Sequence, residues 1–312
     1  MIRIGIVGIG FMGMIHYLAA RKLKNARVTA VCSRDPKKRA GDWRGIRGNF
    51  GPPGEKMDLS KVKQYAELDE LLADPDIDLV DVCNPTHLHP DSAIKALKAG
   101  KHLLVEKAIS LTAKQADEML AAARKAGKLL MVAHVLPFVP EFAFAAEAVR
   151  SKKYGKLLGG QFVRIISKPD WSADIGDWAK TGGPAVDLHI HDTHFIGLIC
   201  GVPKAVFATG VVDSGAVVHL TTQYLYGKGG PSIACTSGAL TMKGRPFVHG
   251  FEIYLEKATL VFPGTGPLQV LTADGAAKGK APDLLGGQLA RDALVLCHKE
   301  IESVKTGREV AV

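Results

Sequence analysis

The first dozen residues constrain this chain most. An apolar run (Ile4, Ile6, Val7) ends in Gly8-Ile9-Gly10-Phe11-Met12-Gly13, and a helix-like segment follows. In a G-x-G-x-x-G turn between strand and helix, each glycine has a physical task. Gly8 turns the chain tightly, Gly10 lets backbone approach a pyrophosphate, and Gly13 lets helix and strand close together. The N–H groups that open the helix, beginning at Phe11 and Met12, then face an anion. Followed by a second βα unit, this turn predicts a dinucleotide site.

The hydrophobic pattern continues the same architecture. Apolar runs at 28–32, 77–83, 102–105 and 129–133 alternate with helical patterns at 61–73, 91–99 and 112–126. The last two helices stop at Gly100 and Gly127, as helices commonly do. Strands alternating with helices predict an α/β fold with a doubly wound parallel sheet, a Rossmann domain over residues 1–133. Residues 41–58 interrupt it with a Gly- and Pro-rich loop, either functional or a surface insertion. After residue 134 the texture changes. Longer β-like runs at 157–166, 204–212, 217–226, 232–241 and 251–262 come with few helices (140–152, 187–200, 288–305). They predict an α+β domain over 134–312 with a large, mostly antiparallel sheet.

At 312 residues the chain is long enough for two cores. No stretch approaches the roughly 18 apolar residues of a membrane span. A strand starting at residue 2 leaves no room for a signal peptide, and five scattered cysteines without a C-x-x-C pair read as reduced thiols. A cytoplasmic protein with no membrane partner is therefore expected. The net charge of +9 would suit nucleic acid, but no basic helix with interleaved aromatics appears. The basic cluster Arg34, Lys37, Lys38, Arg39 instead follows the second strand. Sites selective for NAD carry an acidic residue there that binds the ribose hydroxyls. Here Ser33 takes that position, and Arg34 with Lys38 suits a 2′-phosphate. NADP is thus favoured over NAD. Asp35 is either an alternative ribose ligand or a helix cap before Pro36.

Four segments combine further on: the glycine turn with His16; Cys83-Asn84-Pro85-Thr86-His87-Leu88-His89; Ala99-Gly100-Lys101-His102-Leu103-Leu104-Val105-Glu106-Lys107; and Gly182-Gly183-Pro184-Ala185-Val186-Asp187-Leu188-His189-Ile190-His191-Asp192. In this order and spacing they resemble the glucose–fructose oxidoreductase and inositol dehydrogenase (Gfo/Idh/MocA) family. The resemblance implies that Lys107 sits beside the nicotinamide and hydrogen-bonds the reacting hydroxyl. It implies that His191 is the general acid/base and Asp187 its partner carboxylate. Asn84, Pro85, Thr86, His89 and Glu106 would join the cofactor site, whereas His87 reads as a loop residue. The chemistry is coherent: hydride leaves a carbinol carbon only as the hydroxyl proton departs, which suits histidine, and an ammonium stabilises the developing alkoxide. On one continuous helix, i, i+4 spacing puts Asp187 and His191 on one face. The sequence departs from the family at Ala108, where proline is usual, and at 134–138, which lacks an arginine near Pro137.

The resemblance implies an NAD(P)-dependent oxidoreductase acting on a secondary alcohol of a sugar, cyclitol or related polyol, with the second domain binding substrate and forming a homodimer or homotetramer. Candidate substrate contacts are His134, Lys168, Trp171, Trp178 and Lys180. Two alternatives remain: a glycosidase working through transient oxidation by a bound nucleotide, and a non-catalytic nucleotide sensor. The crowd Asp187, His189, His191, Asp192, His194 invites comparison with a metal site. On a helix, however, His189 points away from the face shared by Asp187, His191 and His194, and no metal is expected.

Overall fold

The structure, a computed structural model, describes residues 1–169 and 176–277. Two compact units emerge: Met1–Ala133 together with 176–181, and 134–169 together with 182–277. Trp171 and the helix expected over 288–305 lie outside the described residues.

The first unit is built on β1 (Ile2–Val7), α1 (Phe11–Ala20), β2 (Ala26–Cys32), α2 (Pro36–Arg39), β3 (Lys63–Tyr65), α3 (Leu68–Ala73), β4 (Leu79–Val82), α4 (His89–Lys98), β5 (His102–Val105), α5 (Ala113–Ala126) and β6 (Leu130–Val132). The sheet order is β3-β2-β1-β4-β5-β6, all parallel. This is the Rossmann order, with its reversal between β1 and β4, where such folds bind ligands beyond the strand C-termini. Strands covered on both faces need little polarity, and Ile6, Val80, Val82, Leu103 and Val105 are fully buried.

The register sets the site. Cys32, Val7, Val82, Val105 and Val132 lie in one row across five strands. The ladder runs one residue past it, through Ser33, Gly8, Cys83, Glu106 and Ala133, whose N–H groups each bond the neighbouring strand at 2.8–3.1 Å. The glycine turn, the Ser33-Arg34 turn after β2, the Cys83-Asn84 segment and Glu106-Lys107 therefore leave the sheet side by side.

Two expectations are corrected in this unit. The helix read over 61–73 starts only at Leu68. Lys63-Gln64-Tyr65 instead pairs with Ala30-Val31-Cys32 as an edge strand, and the Glu70 carboxylate accepts the Glu67 N–H at 3.1 Å to open α3. The loop at 41–58 is no simple surface insertion. Trp43, Ile46, Met57 and Leu59 are buried in one core with Met14 and Tyr17 of α1, and Trp43 meets Tyr17 edge-on at 5.0 Å.

The second unit comprises α6 (Pro140–Ser151), β7 (Leu157–Ser167), α8 (Pro184–Asp187), α9 (Ile190–Cys200), β8 (Ala205–Asp213), β9 (Ala216–Leu225), β10 (Ser232–Thr241), β11 (Val248–Leu255), β12 (Ala258–Phe262), β13 (Gln269–Thr272) and β14 (Gly275–Ala277); α7 (Trp178–Thr181) groups with the first unit. Its sheet runs β14-β13-β12-β11-β7-β10-β9-β8, antiparallel throughout except between β7 and β10. Phe142 of α6 and Phe195 of α9 meet edge-to-face at 4.9 Å over Phe162, Phe251 and Ile253. The run read as one strand over 251–262 is a hairpin, since Glu256-Lys257 turn between β11 and β12. The helix expected over 187–200 is broken. Leu188 and His189 form a turn, and the His189 N–H bonds the Pro184 carbonyl five residues back at 3.0 Å. Asp187 closes α8 and His191 lies in α9, so the continuous-helix argument for their shared face does not hold.

Candidate functional site

The glycine turn is shaped by close approach. Gly8 has φ +92°, and a Cβ there would come within 2.7 Å of the Asn84 nitrogen. A Cβ on Gly13 would collide with the Gly8 carbonyl oxygen. By contrast, a Cβ on Gly10 would meet nothing within 4 Å. Helix α1 begins after Gly10 with no side-chain cap and no acidic residue in its first turn. Its uncapped N–H groups and open flank fit the pyrophosphate of a dinucleotide. Beside them, the buried Oδ1 of Asn84 has no hydrogen-bond partner, while its Nδ2 donates to Ser92 Oγ at 2.8 Å. An orphaned buried acceptor next to this cradle is consistent with a ligand donor at that position.

After β2, Asp35 is the N-cap of α2, its carboxylate accepting the N–H groups of Lys37 at 2.9 Å and Lys38 at 3.3 Å. Of the two roles open to Asp35, capping is the one its hydrogen bonds fill. Arg39 donates to the Ser33 carbonyl at 2.7 Å, and the Trp43 indole donates to the Lys38 carbonyl at 2.7 Å. The turn carrying Ser33, Arg34 and Lys38 is therefore braced from beneath by Arg39 and by the 41–58 segment.

The strand ends hold a cluster that sequence reasoning missed. Period-two alternation puts Asp81 and Cys83 on one sheet face, and the pairing of Asp81 with Leu104 puts Glu106 there too. His16 of α1 lies against all three. Its Nδ1 is 2.9 and 3.1 Å from the Asp81 oxygens and 3.4 Å from Cys83 Sγ. Its Nε2 is 3.0 Å from Glu106 Oε1, an ion pair rather than an aligned hydrogen bond. Burial opposes charge on His16, but its contacts with Asp81, Cys83 and Glu106 outweigh burial and push its pKa far up. Burial, reinforced by Asp81, also pushes the Cys83 thiol up. His16, Asp81 and Cys83 are spaced as metal ligands would be. The same closeness fits a shared proton, and His16 Nδ1, facing both Asp81 oxygens, is the atom that would carry it. The legible signal was an aspartate inside the apolar strand Leu79-Val80-Asp81-Val82.

Lys107 follows directly, its N–H donating to Glu106 Oε2 at 3.1 Å. The Lys107–Ala108 peptide is cis. His89 sets Nδ1 2.8 Å from the Ala108 carbonyl and Nε2 2.9 Å from the Asn84 carbonyl. Two carbonyls ask for two N–H donors, but burial prevails and the His89 pKa falls below its ordinary value. Thr86 is buried in the short 3-10 turn after Pro85. Lys101 of the A-G-K-H signature has a structural post, its ammonium donating to the carbonyls of Asp74 at 2.7 Å and Ile77 at 2.9 Å.

The remaining candidates divide between the units. Trp178 and Lys180 lie on α7 of the first unit, where Lys180 pairs with Asp177 at 3.4 Å. Asp187, His191, His134 and Lys168 belong to the second unit. There the His134 and His194 rings stack at 3.8 Å. His189 turns into the core instead, Nδ1 2.8 Å from Ser237 Oγ and Nε2 3.2 Å from the Tyr224 hydroxyl. Burial, with Arg164 nearby, lowers its pKa to about 4. Asp192 is fully buried and holds Arg164 through both carboxylate oxygens. His189, Asp192 and His194 of the 187–194 crowd thus each have a separate partner.

Comparison with known proteins agrees with this geometry. The model of an oxidoreductase family with an NAD-binding Rossmann fold (Gfo/Idh/MocA) matches residues 2–134. Myo-inositol 2-dehydrogenase of Thermotoga maritima is 30% identical over 211 residues, 67% of this chain and 58% of that protein's length. Inositol 2-dehydrogenase of Rhizobium meliloti is 25% identical over 99% of this chain and 91% of its own. The crystal structure of an oxidoreductase domain protein from Kribbella flavida superposes with a TM-score of 0.75 at 24% identity, over 90% of this chain and 80% of its own, which places the fold. The glycine cradle and the strand-end row lie within residues 2–134, the part of the chain that matches the NAD-binding Rossmann domain of the Gfo/Idh/MocA oxidoreductase family.

Proposed function

We propose that the protein is an NAD(P)-dependent dehydrogenase that oxidises a secondary alcohol of a cyclitol, sugar or related polyol. The observation that carries this reading is the strand-end row, which brings the open glycine cradle, Cys83-Asn84 and Glu106-Lys107 out of three successive strands of one sheet edge. The names of the inositol dehydrogenases to which the chain is similar support the substrate class. Gly8, Gly10, Phe11, Met12 and Gly13 would hold the pyrophosphate, with Asn84, Pro85, Thr86, His89 and Glu106 lining the nicotinamide side. The bound nucleotide supplies the hydride acceptor. In this reading His191 takes the hydroxyl proton, Asp187 steadies the imidazolium, and the Lys107 ammonium stabilises the negative oxygen as it forms. Ser33, Arg34 and Lys38 favour NADP, a preference supported by the commitment of Asp35 to capping α2. His134, Lys168, Trp171, Trp178 and Lys180 are the proposed substrate contacts. Residues 134–312 would bind substrate and join a second copy of the chain.

The test is absorbance of reduced nucleotide during incubation of the purified protein with myo-inositol, scyllo-inositol and simple glucosides, each with NAD and with NADP. One reduced nucleotide per polyol oxidised is expected. Glycoside cleavage without net reduction, or tight nucleotide binding without turnover of any polyol, would overturn the dehydrogenase reading. Lys107→Ala should lower turnover by orders of magnitude while nucleotide affinity survives, because its charge matters most as the alkoxide forms.

A further inference from the structure

The first unit buries a histidine between two carboxylates directly behind the residue proposed to touch substrate. His16 Nδ1 faces Asp81 at 2.9 Å, and His16 Nε2 faces Glu106 Oε1 at 3.0 Å. The side chains are 16%, 6% and 8% exposed. The other Glu106 oxygen accepts the N–H of Lys107. The line Asp81–His16–Glu106–Lys107 is therefore continuous, running from the core of β4 through α1 to the first residue beyond Glu106.

From this geometry we propose that His16 is a positioning residue for Lys107, fixing the Glu106 carboxylate that in turn fixes the lysine backbone. The inference rests on the role given to Lys107 above. Two carboxylates that face one another across a buried site repel unless a cation lies between them. Among the described residues, His16 is the group with one ring nitrogen on each. Cys83 is the third group on its Nδ1 side, and its protonated thiol adds no charge. With His16 removed, the Glu106 carboxylate loses the group that faces its Oε1, and the rotation this permits alters its contact with the Lys107 N–H. The turn is held on its other side by His89 through the Ala108 carbonyl, so a loss at Glu106 tilts Lys107 rather than freeing it. The position of His16, three residues after Gly13 on α1, links the same hub to the glycine turn.

Two measurements decide this without turnover. Long-range nitrogen–proton NMR of the imidazoles of the whole protein should show His16 doubly protonated from pH 6 to pH 9. A neutral ring titrating in the ordinary histidine range would overturn the proposal. Carbon-13 dimethylation of the lysines gives one methyl resonance per lysine, with Lys107→Ala assigning that of Lys107. In His16→Gln and in Glu106→Gln the Lys107 resonance should move while that of Lys101 stays. An unmoved Lys107 resonance in folded His16→Gln protein overturns the proposal. If His16→Gln does not fold, the Glu106→Gln spectrum and the wild-type imidazole spectrum decide.

Kinetics on the fastest polyol of the panel separate this inference from the reading beneath it. His16→Gln should lower kcat by about 10- to 100-fold, the scale of a small misplacement of a reacting group. Nucleotide affinity should stay within about threefold of wild type, a split that a merely destabilised fold does not give. The loss should vanish in the Lys107→Ala background, since residues acting through one another are not additive. An undiminished loss in that background overturns positioning and leaves the dehydrogenase reading standing. Near-normal turnover of Lys107→Ala itself overturns the catalytic role of Lys107, and the two NMR measurements then decide by themselves whether His16 sets its position.

Discussion

At the scale of single residues, two histidines illustrate how burial and partners pull in opposite directions. His16 is buried between carboxylates and its pKa rises; His189 is buried among hydroxyls near Arg164 and its pKa falls to about 4. The consequence for His189 can be measured. Unfolded histidine takes a proton near 6.5, so between there and about 4 the unfolded chain binds more protons than the folded one. The stability held by neutral His189 is therefore complete above 6.5 and is lost as pH falls towards 4, by roughly 3 kcal/mol at about 1.4 kcal/mol per pKa unit. Urea unfolding of wild type and His189→Gln from pH 7 to pH 4.5 should give a flatter profile for the variant; parallel profiles would remove His189 as an acid-sensitive element. Arg34 carries the cofactor prediction. Removing its charge-assisted bond to a 2′-phosphate should cost about 1.5–3 kcal/mol. That is roughly 10- to 150-fold in NADP affinity with little change for NAD. Equal weakening of both nucleotides in Arg34→Ala, or tighter binding of NAD than of NADP by wild type, contradicts the assignment.

Among the elements, the 41–58 segment departs furthest from its loop-like sequence. Trp43 is fully buried against Tyr17, and Gly54 lies so close that a Cβ would collide with the Trp43 carbonyl oxygen. Further along, Phe50 meets Phe11 of the glycine turn edge-on at 4.8 Å. Trp43→Ala should destabilise the protein by about 3–5 kcal/mol, the usual loss for emptying a buried aromatic site. Trp43→Phe, which mainly loses the bond to the Lys38 carbonyl, should cost nearer ~1 kcal/mol. Denaturant midpoints for the two variants check the order, and equal midpoints would mean that the segment is held elsewhere. Why the sequence hid this is physical. Glycines and prolines advertise turns, but a core assembled from Trp43, Ile46, Met57 and Leu59 has no period to read. The same limit explains the other departures. Lys63-Gln64-Tyr65 is too short to show alternation, and the break at Leu188-His189 follows from a hydrogen bond to Pro184 that spacing does not reveal. What was legible were features with a local cause: the glycine turn, the helix-ending Gly127 with φ +59°, and the apolar strands. His16 was visible as a letter beside that turn, but its partners Asp81 and Glu106 are 65 and 90 residues away. Only the strand register brings them together.

For the whole molecule, the second sheet has an outer face whose chemistry calls for a cover. Its inner face is filled by α6 and α9, and the register fixes what looks the other way. Phe207 pairs with Gln223, Gln223 with Ala234, and Ala234 with Gln161, in one row across β8, β9, β10 and β7. The next row carries Thr209, Thr221 and Thr236, the last two bonded through their hydroxyls at 3.0 Å. In a chain that is 23% charged, these rows reach a carboxylate only at Glu252 on β11. All nine residues of β8 are exposed, Phe207 by 61%. An exposed edge strand with so few charges is usually protected by a partner. A face whose rows carry so few charges suits a second copy of itself, because an isologous contact then sets few charges in opposition. We therefore expect a homodimer or homotetramer built on this face, burying on the order of 800 Å² or more per protomer. Analytical ultracentrifugation at micromolar concentration should show the oligomer in wild type. Gln223→Lys, at the middle of the uncharged row, should shift it towards monomer without lowering the thermal midpoint of the monomer, since its side chain lies outside the core. A monomeric wild type, or an oligomer indifferent to both Gln223→Lys and Phe207→Asp, would assign the face to some other covering.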